Sequence, residues 1–293
     1  MDKSLKPVIL IQLFVITTII ITVYFTYLGA FPFDSELGIY RIFPGDILFD
    51  FIWLYVVSIV LGLLLYFIAP LLAGFFVRMH RTFIGRGSKY YSQDVVPDMS
   101  MGGQIKKILL PAFTALGISF SLTNVDSVVN TILTVVTFTG TDINVQAQTI
   151  AVGLSLLFIL LLISGFLMIL FVPIWTLQDA GLVRESEQKP GAISEREGVG
   201  NWYKKLIKGF AGISTLVAYV FTILQTIDWF QYLTEHPPEE AFSLLIFLVP
   251  VAAVIAAPIL ALGPISAIYV FYVKSFEKNQ SKYKQQWAVS SSE

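Results

Sequence analysis

The chain of 293 residues contains no cysteine. That excludes a disulfide framework, a thiolate metal site and a cysteine nucleophile. Histidine occurs twice, at His80 and His236, far apart in sequence. An all-histidine metal site or paired-histidine haem ligation within one chain is therefore not expected, and no cofactor is implied. Charge is scarce as well. Asp, Glu, Lys and Arg make up 13% of the residues, against about 25% in a soluble domain. Sequence signatures of common catalytic sites are missing: there is no phosphate-binding loop, no metalloprotease helix motif and no Gly-x-Ser-x-Gly turn.

What fills the chain instead is apolar. Hydrophobic residues account for 56% of it and Phe alone for 24 positions. Water cannot face that much apolar surface, so composition points to lipid. Six stretches carry no charged residue: Val8–Leu28, Phe51–Val77, Ile108–Val125, Thr149–Leu177, Gly209–Ile227 and Ala241–Val273. Each has the length of a spanning helix or nearly so. They are continuously apolar rather than alternating, which excludes barrel strands. The expected fold is an all-α integral membrane protein, a single domain built as a bundle of six transmembrane helices in three helical hairpins. The first stretch follows a basic start, as in a signal peptide. Its length of about 21 residues exceeds the 7–15 of a signal core, so a retained span is expected.

The distribution of basic residues orients the bundle. With both termini in the cytoplasm, the inner segments 1–7, 78–107, 178–208 and 274–293 hold 2, 6, 6 and 4 of the 19 Lys and Arg residues. Arg41 alone falls outside, among ten outer acids that include Asp34, Glu36, Asp46 and Asp50. Translocating Lys and Arg is costly and the inner leaflet attracts them, so an 18-to-1 split implies an even number of spans in a cell membrane.

No ionisable residue lies well inside any stretch. Mid-membrane charges mark proton relays, voltage sensors and carboxylate-driven antiporters, so those classes are excluded. The sixth stretch, with Pro250, Pro258, Gly263 and Pro264, is expected to be kinked or broken. Interrupted helices expose backbone groups that transporters use for solutes, which makes Pro258, Gly263 and Pro264 candidates for a substrate path. Glycine and alanine in the last three stretches (Gly165, Gly209, Gly212, Ala256, Ala257 and Ala261 among them) predict a tight centre there. Gln12, Thr18 and Thr22 give the first helix a polar streak, read as a solute path or as helix–helix hydrogen bonding.

Four further expectations concern the connections. The outer segment 126–148 is too apolar for a free loop and is interfacial or re-entrant. The inner segment 184–208, rich in charge, Gly and Ser, is expected to be mobile. Asp179, at the end of the fourth stretch, is expected to pair with Arg78, Arg81 or Arg184, and is a candidate site residue. Arg78, His80 and Arg81, with Lys106 and Lys107 opposite, form a basic strip suited to anionic lipid headgroups or another anionic ligand.

Three functional classes fit these features. A small-solute transporter or channel-like protein would use the interrupted sixth helix. A non-catalytic membrane subunit or scaffold would pack against lipids, further copies of itself or partner subunits. A lipid-headgroup-modifying enzyme would use Asp179, His80 and the inner arginines. Nucleic acid is not an expected partner, because the basic residues lie at membrane level.

Overall fold

A computed structural model describes residues 6–27, 47–86, 88–93, 95, 100–123, 145–185, 196–235 and 249–287. The helices in chain order are α1 (Lys6–Tyr27), α2 (Ile47–Phe83), α3 (Met101–Thr123), α4 (Val145–Phe166), α5 (Met168–Asp179), α6 (Val199–Glu235) and α7 (Val249–Trp287). Three short strands join them: β1 (Lys89–Ser92) after α2, then β2 (Leu182–Glu185) and β3 (Arg196–Gly198) between α5 and α6.

Within the described residues the apolar stretches form helix, because a chain in hydrocarbon must satisfy its own backbone groups. Among the described residues, three helices are long and apolar enough to cross a membrane: Phe51–Phe83, Met101–Leu122 and Ala256–Gln285. The bent pair Leu156–Phe166 and Met168–Asp179 makes a fourth. These helices fit a multi-pass membrane protein. Large apolar side chains point outward along α1, α2 and α6, among them Leu13, Phe14, Leu64, Phe67, Leu71 and Ile213. Lipid satisfies such a surface where water would not. At 39 residues, α7 is about 58 Å long, against about 30 Å of hydrocarbon. It therefore continues well past the apolar layer.

The core is organised around α7, which packs against α1, α2, α3, α4 and α5. The most extensive single contact joins α3 to α6, and α2 lies along both α4 and α5. Consecutive helices are not the main partners: α1 touches α2 only lightly, and α6 and α7 are not a packed pair among the described residues.

The sixth stretch, expected to be kinked or broken, has no break among the described residues, for α7 runs continuously through Pro258 and Pro264. Five neighbouring helices pack on α7 where two amide donors are lost. The break lies in the fourth stretch, where α4 and α5 meet at Leu167 with a bend of 41°. There Gly165 lacks the Cβ that would overlap the carbonyl oxygen of Ser58 on α2. Pro173, about two turns further on, withholds an amide donor from the carbonyl of Ile169.

Of the inner segment 184–208, residues 186–195 lie outside the described ones, and the rest forms strand and helix. β1 pairs antiparallel with β2, Tyr90 opposite Arg184, and β2 pairs with β3, Arg184 opposite Glu197. The helix α6 already begins at Val199. Gly181 makes this turn possible: its φ of +65° lies in the left-handed region, and its carbonyl accepts the Gln93 amide at 2.9 Å. Of the outer segment 126–148, residues 126–144 lie outside the described ones, as do Arg41, the outer acids 34–46 and His236.

Candidate functional site

The polar side chains gather where α2, α5 and α7 end and where α3 and α6 begin. Asp179 is the last residue of α5 and is buried. Its carboxylate accepts Lys107 Nζ from α3, at 2.5 Å to Oδ1 and 2.7 Å to Oδ2, and the Tyr272 hydroxyl from α7 at 2.7 Å. The expected arginine partners are thus replaced by a lysine. Asp179 side-chain exposure is 7% and that of Lys107 15%, so the pair is screened little by water. Trp175, one turn earlier, stands edge-on to Tyr269 and beside Tyr272, closing the site from the apolar side.

His80 and Arg81 occupy a second, separate nest. His80 is completely buried. Its Nδ1 lies 2.8 Å from the Tyr90 hydroxyl, and its ring stands edge-on to Trp202 and Tyr90. Its Nε2 has no hydrogen-bond partner among the described residues. Tyr203 donates to the Phe76 carbonyl at 2.7 Å and stacks on the Phe76 ring. Burial, with Tyr90 adding, pushes the Tyr203 phenol up to about 12. Arg81 donates to the Trp287 carbonyl at 2.7 Å and lies over the Tyr90 ring at 4.9 Å. Both residues therefore brace α2 against β1, α6 and the end of α7. Of the expected basic strip, Arg78 remains exposed, but His80 faces inward and takes no part in an open lipid-facing row.

Lys107 belongs to a third group. The amine of Lys204, on α6, is pushed below its usual range by burial and then by the charges of Lys107, Lys208 and Lys106. Four lysines thus meet across the α3–α6 contact, and among the described residues Asp179 is the one carboxylate bonded to any of them. The sequence reading included Lys106 and Lys107 but not Lys204 or Lys208. A signal was present: Lys106-Lys107 and Lys204-Lys205 are doublets standing just before the third and fifth apolar stretches.

The substrate-path candidates on α7 lie elsewhere, deep in the bundle. The Gly263 carbonyl accepts Gln12 Nε2 at 2.9 Å and Ser266 Oγ at 2.9 Å. Gln12 Nε2 also reaches Ser266 Oγ at 2.8 Å, and the Tyr55 hydroxyl donates to Gln12 Oε1. Gly263 admits this approach because a Cβ there would come within 2.7 Å of the Tyr55 ring. Around it Ala257, Leu260, Ala261, Ile265 and Ile268 are fully buried. Gln12 therefore bridges α1, α2 and α7. Thr18, by contrast, bonds the Phe14 carbonyl of its own helix.

No protein-family model, curated protein or solved structure matches this chain. Four polar groups among the described residues carry its chemistry. In none of them does a bond join Asp179 to His80 or Arg81 among the described residues. Each polar group in the Asp179 nest is already committed to a neighbour. That arrangement suits a fixed joint between helices better than an acid–base pair awaiting substrate.

Proposed function

We propose that the chain is a six-span membrane protein of the cell membrane with both termini in the cytoplasm, acting as a non-catalytic subunit or scaffold. The observation that carries this reading is the filled centre of α7. Pro258, Gly263 and Pro264 sit among fully buried side chains, and Gln12 and Ser266 occupy the Gly263 carbonyl. A polar network satisfied by its own members binds helices together. Here it occupies the carbonyl that Gly263 presents at the centre of α7.

The absence of cysteine makes the orientation directly testable. Single cysteines placed at Ser88 and at Asp34 are expected to react with a membrane-impermeant maleimide from the cytoplasmic and the outer side respectively. The subunit role predicts recovery of one membrane partner, or of further copies of this chain, in constant stoichiometry after mild solubilisation. It also predicts no solute flux in proteoliposomes.

A transporter for a small solute is the second reading, and the bend at Leu167 favours it. Half-helices meeting inside an apolar stretch are a common substrate-binding device. Flux that is abolished by Gly165→Val would replace the first reading with this one.

A further inference from the structure

The four-lysine group lies at the head of an open apolar track. The helices α3 and α6 run parallel. Lys107 and Lys204 meet near their starts, and ten residues further along each helix Gly117 meets Ser214 and Thr215. Neither helix carries an acidic residue in its first turn. Lys106 and Lys208 are exposed and Lys204 is half-buried, so the group is reachable from outside. Among the described residues Asp179 alone is bonded to the group, and it balances a single positive charge. After burial, the charges of Lys107, Lys208 and Lys106 lower the Lys204 amine, and an anion would relieve that repulsion.

Immediately beyond Lys208, α6 turns an apolar face outward. Phe210, Ile213, Leu216, Val220, Ile223 and Ile227 follow one another at spacings of three or four, each 51–67% exposed. Gly209 and Gly212 flank the start of this track with open space where a side chain would stand. From Phe210 to Val220 the track measures roughly 15 Å, about half of a 30 Å hydrocarbon layer and so the depth of one leaflet.

We propose that the α3–α6 face binds an anionic phospholipid, its phosphate held by Lys106, Lys204 and Lys208 beside the Lys107–Asp179 pair, its acyl chains lying along Phe210–Val220. The head carries the charge the lysines lack, and the tail matches the apolar length next to them. The proposal is independent of whether the molecule is a subunit or a transporter.

The test uses the full-length protein in a neutral detergent, with bound lipid counted by native mass spectrometry. Phosphatidylglycerol is expected to bind at least tenfold more tightly than phosphatidylcholine, whose headgroup is neutral overall. The double variant Lys204→Gln/Lys208→Gln is expected to lose that preference. Arg78→Gln, an exposed arginine on α2, should keep it. Leu216→Gln, an outward-facing residue, should weaken phosphatidylglycerol severalfold without changing its preference over phosphatidylcholine. Equal binding of the two lipids by the unaltered protein overturns the proposal, and this comparison needs no variant to fold. So does retention of the preference in the double variant. Displacement of phosphatidylglycerol by inorganic phosphate at equal concentration overturns it too, since the site would then read phosphate alone.

Discussion

Gly165 on α4 presses against the backbone of Ser58 on α2, so closely that a Cβ at position 165 would lie 3.0 Å from the Ser58 carbonyl carbon and overlap its oxygen. Backbone on both sides leaves nothing that can rotate away. Gly165→Ala is therefore expected to cost about 1–3 kcal/mol as an overpacked core. Gly209→Ala, in helix interior with open space around it, is expected to gain about 0.5–1 kcal/mol from helix propensity. Thermal unfolding in detergent should separate the two variants in opposite directions. A Gly165→Ala protein as stable as the parent would show that α2 and α4 do not meet there.

The Asp179–Lys107 pair predicts a strongly coupled double-mutant cycle. Asp179→Asn leaves Lys107 largely buried without its counter-charge, a loss of about 3–5 kcal/mol. Lys107→Met should cost a similar amount. The double variant should cost much less than the two losses added together. Tyr272→Phe removes one neutral donor to a charged group and should cost about 1.5–3 kcal/mol. Additive single losses would mean that the pair is not formed.

Lys204 predicts how stability responds to alkali. Its amine titrates below the ordinary value of 10.5 in the folded protein. The unfolded chain therefore binds more protons than the folded one between the depressed value and 10.5, and stability rises with pH across that window. Burial is the main cause, and the charges of Lys107, Lys208 and Lys106 add to it. Lys204→Gln should flatten the rise and raise the melting temperature slightly at neutral pH. The gain is expected to be a few tenths of a kcal/mol because the site is half-exposed and screened. A pH profile identical in Lys204→Gln and the parent would contradict the clustering.

Gln12 ties three helices through one side chain. Gln12→Leu should cost about 0.6–1.7 kcal/mol, the range for polar contacts between membrane helices. Ser266→Ala should cost less, since Gln12 still reaches the Gly263 carbonyl. Titration with a denaturing detergent, followed by far-ultraviolet circular dichroism, would compare them. A Gln12→Leu protein more stable than the parent would show that the network does not hold α1 in place.

How much of this was legible in the sequence differs from one element to another. The helices were, because continuous apolar runs leave a chain in lipid no other way to satisfy its backbone. The break was misplaced. Pro258 and Pro264 are strong local signals, yet five helices around α7 outweigh them, while a lone Gly165 takes effect through Ser58, far away in sequence. The partner of Asp179 was also out of reach, since Lys107 is one of several basic residues and only packing selects it. β1 and β2 are four residues each, too short for a period to be read. Of the lysine group, the doublet Lys204-Lys205 and its counterpart Lys106-Lys107 were visible, but not that their helices lie side by side.

The small sheet has a mechanical consequence. β1 continues from α2, β2 from α5, and β3 leads into α6, so ladder bonds lace two connections together at one end of the bundle. Arg81 adds the tail of α7 to the same binding by gripping the carbonyl of Trp287. Spreading these helices at that end therefore means rupturing backbone bonds as well as separating side chains.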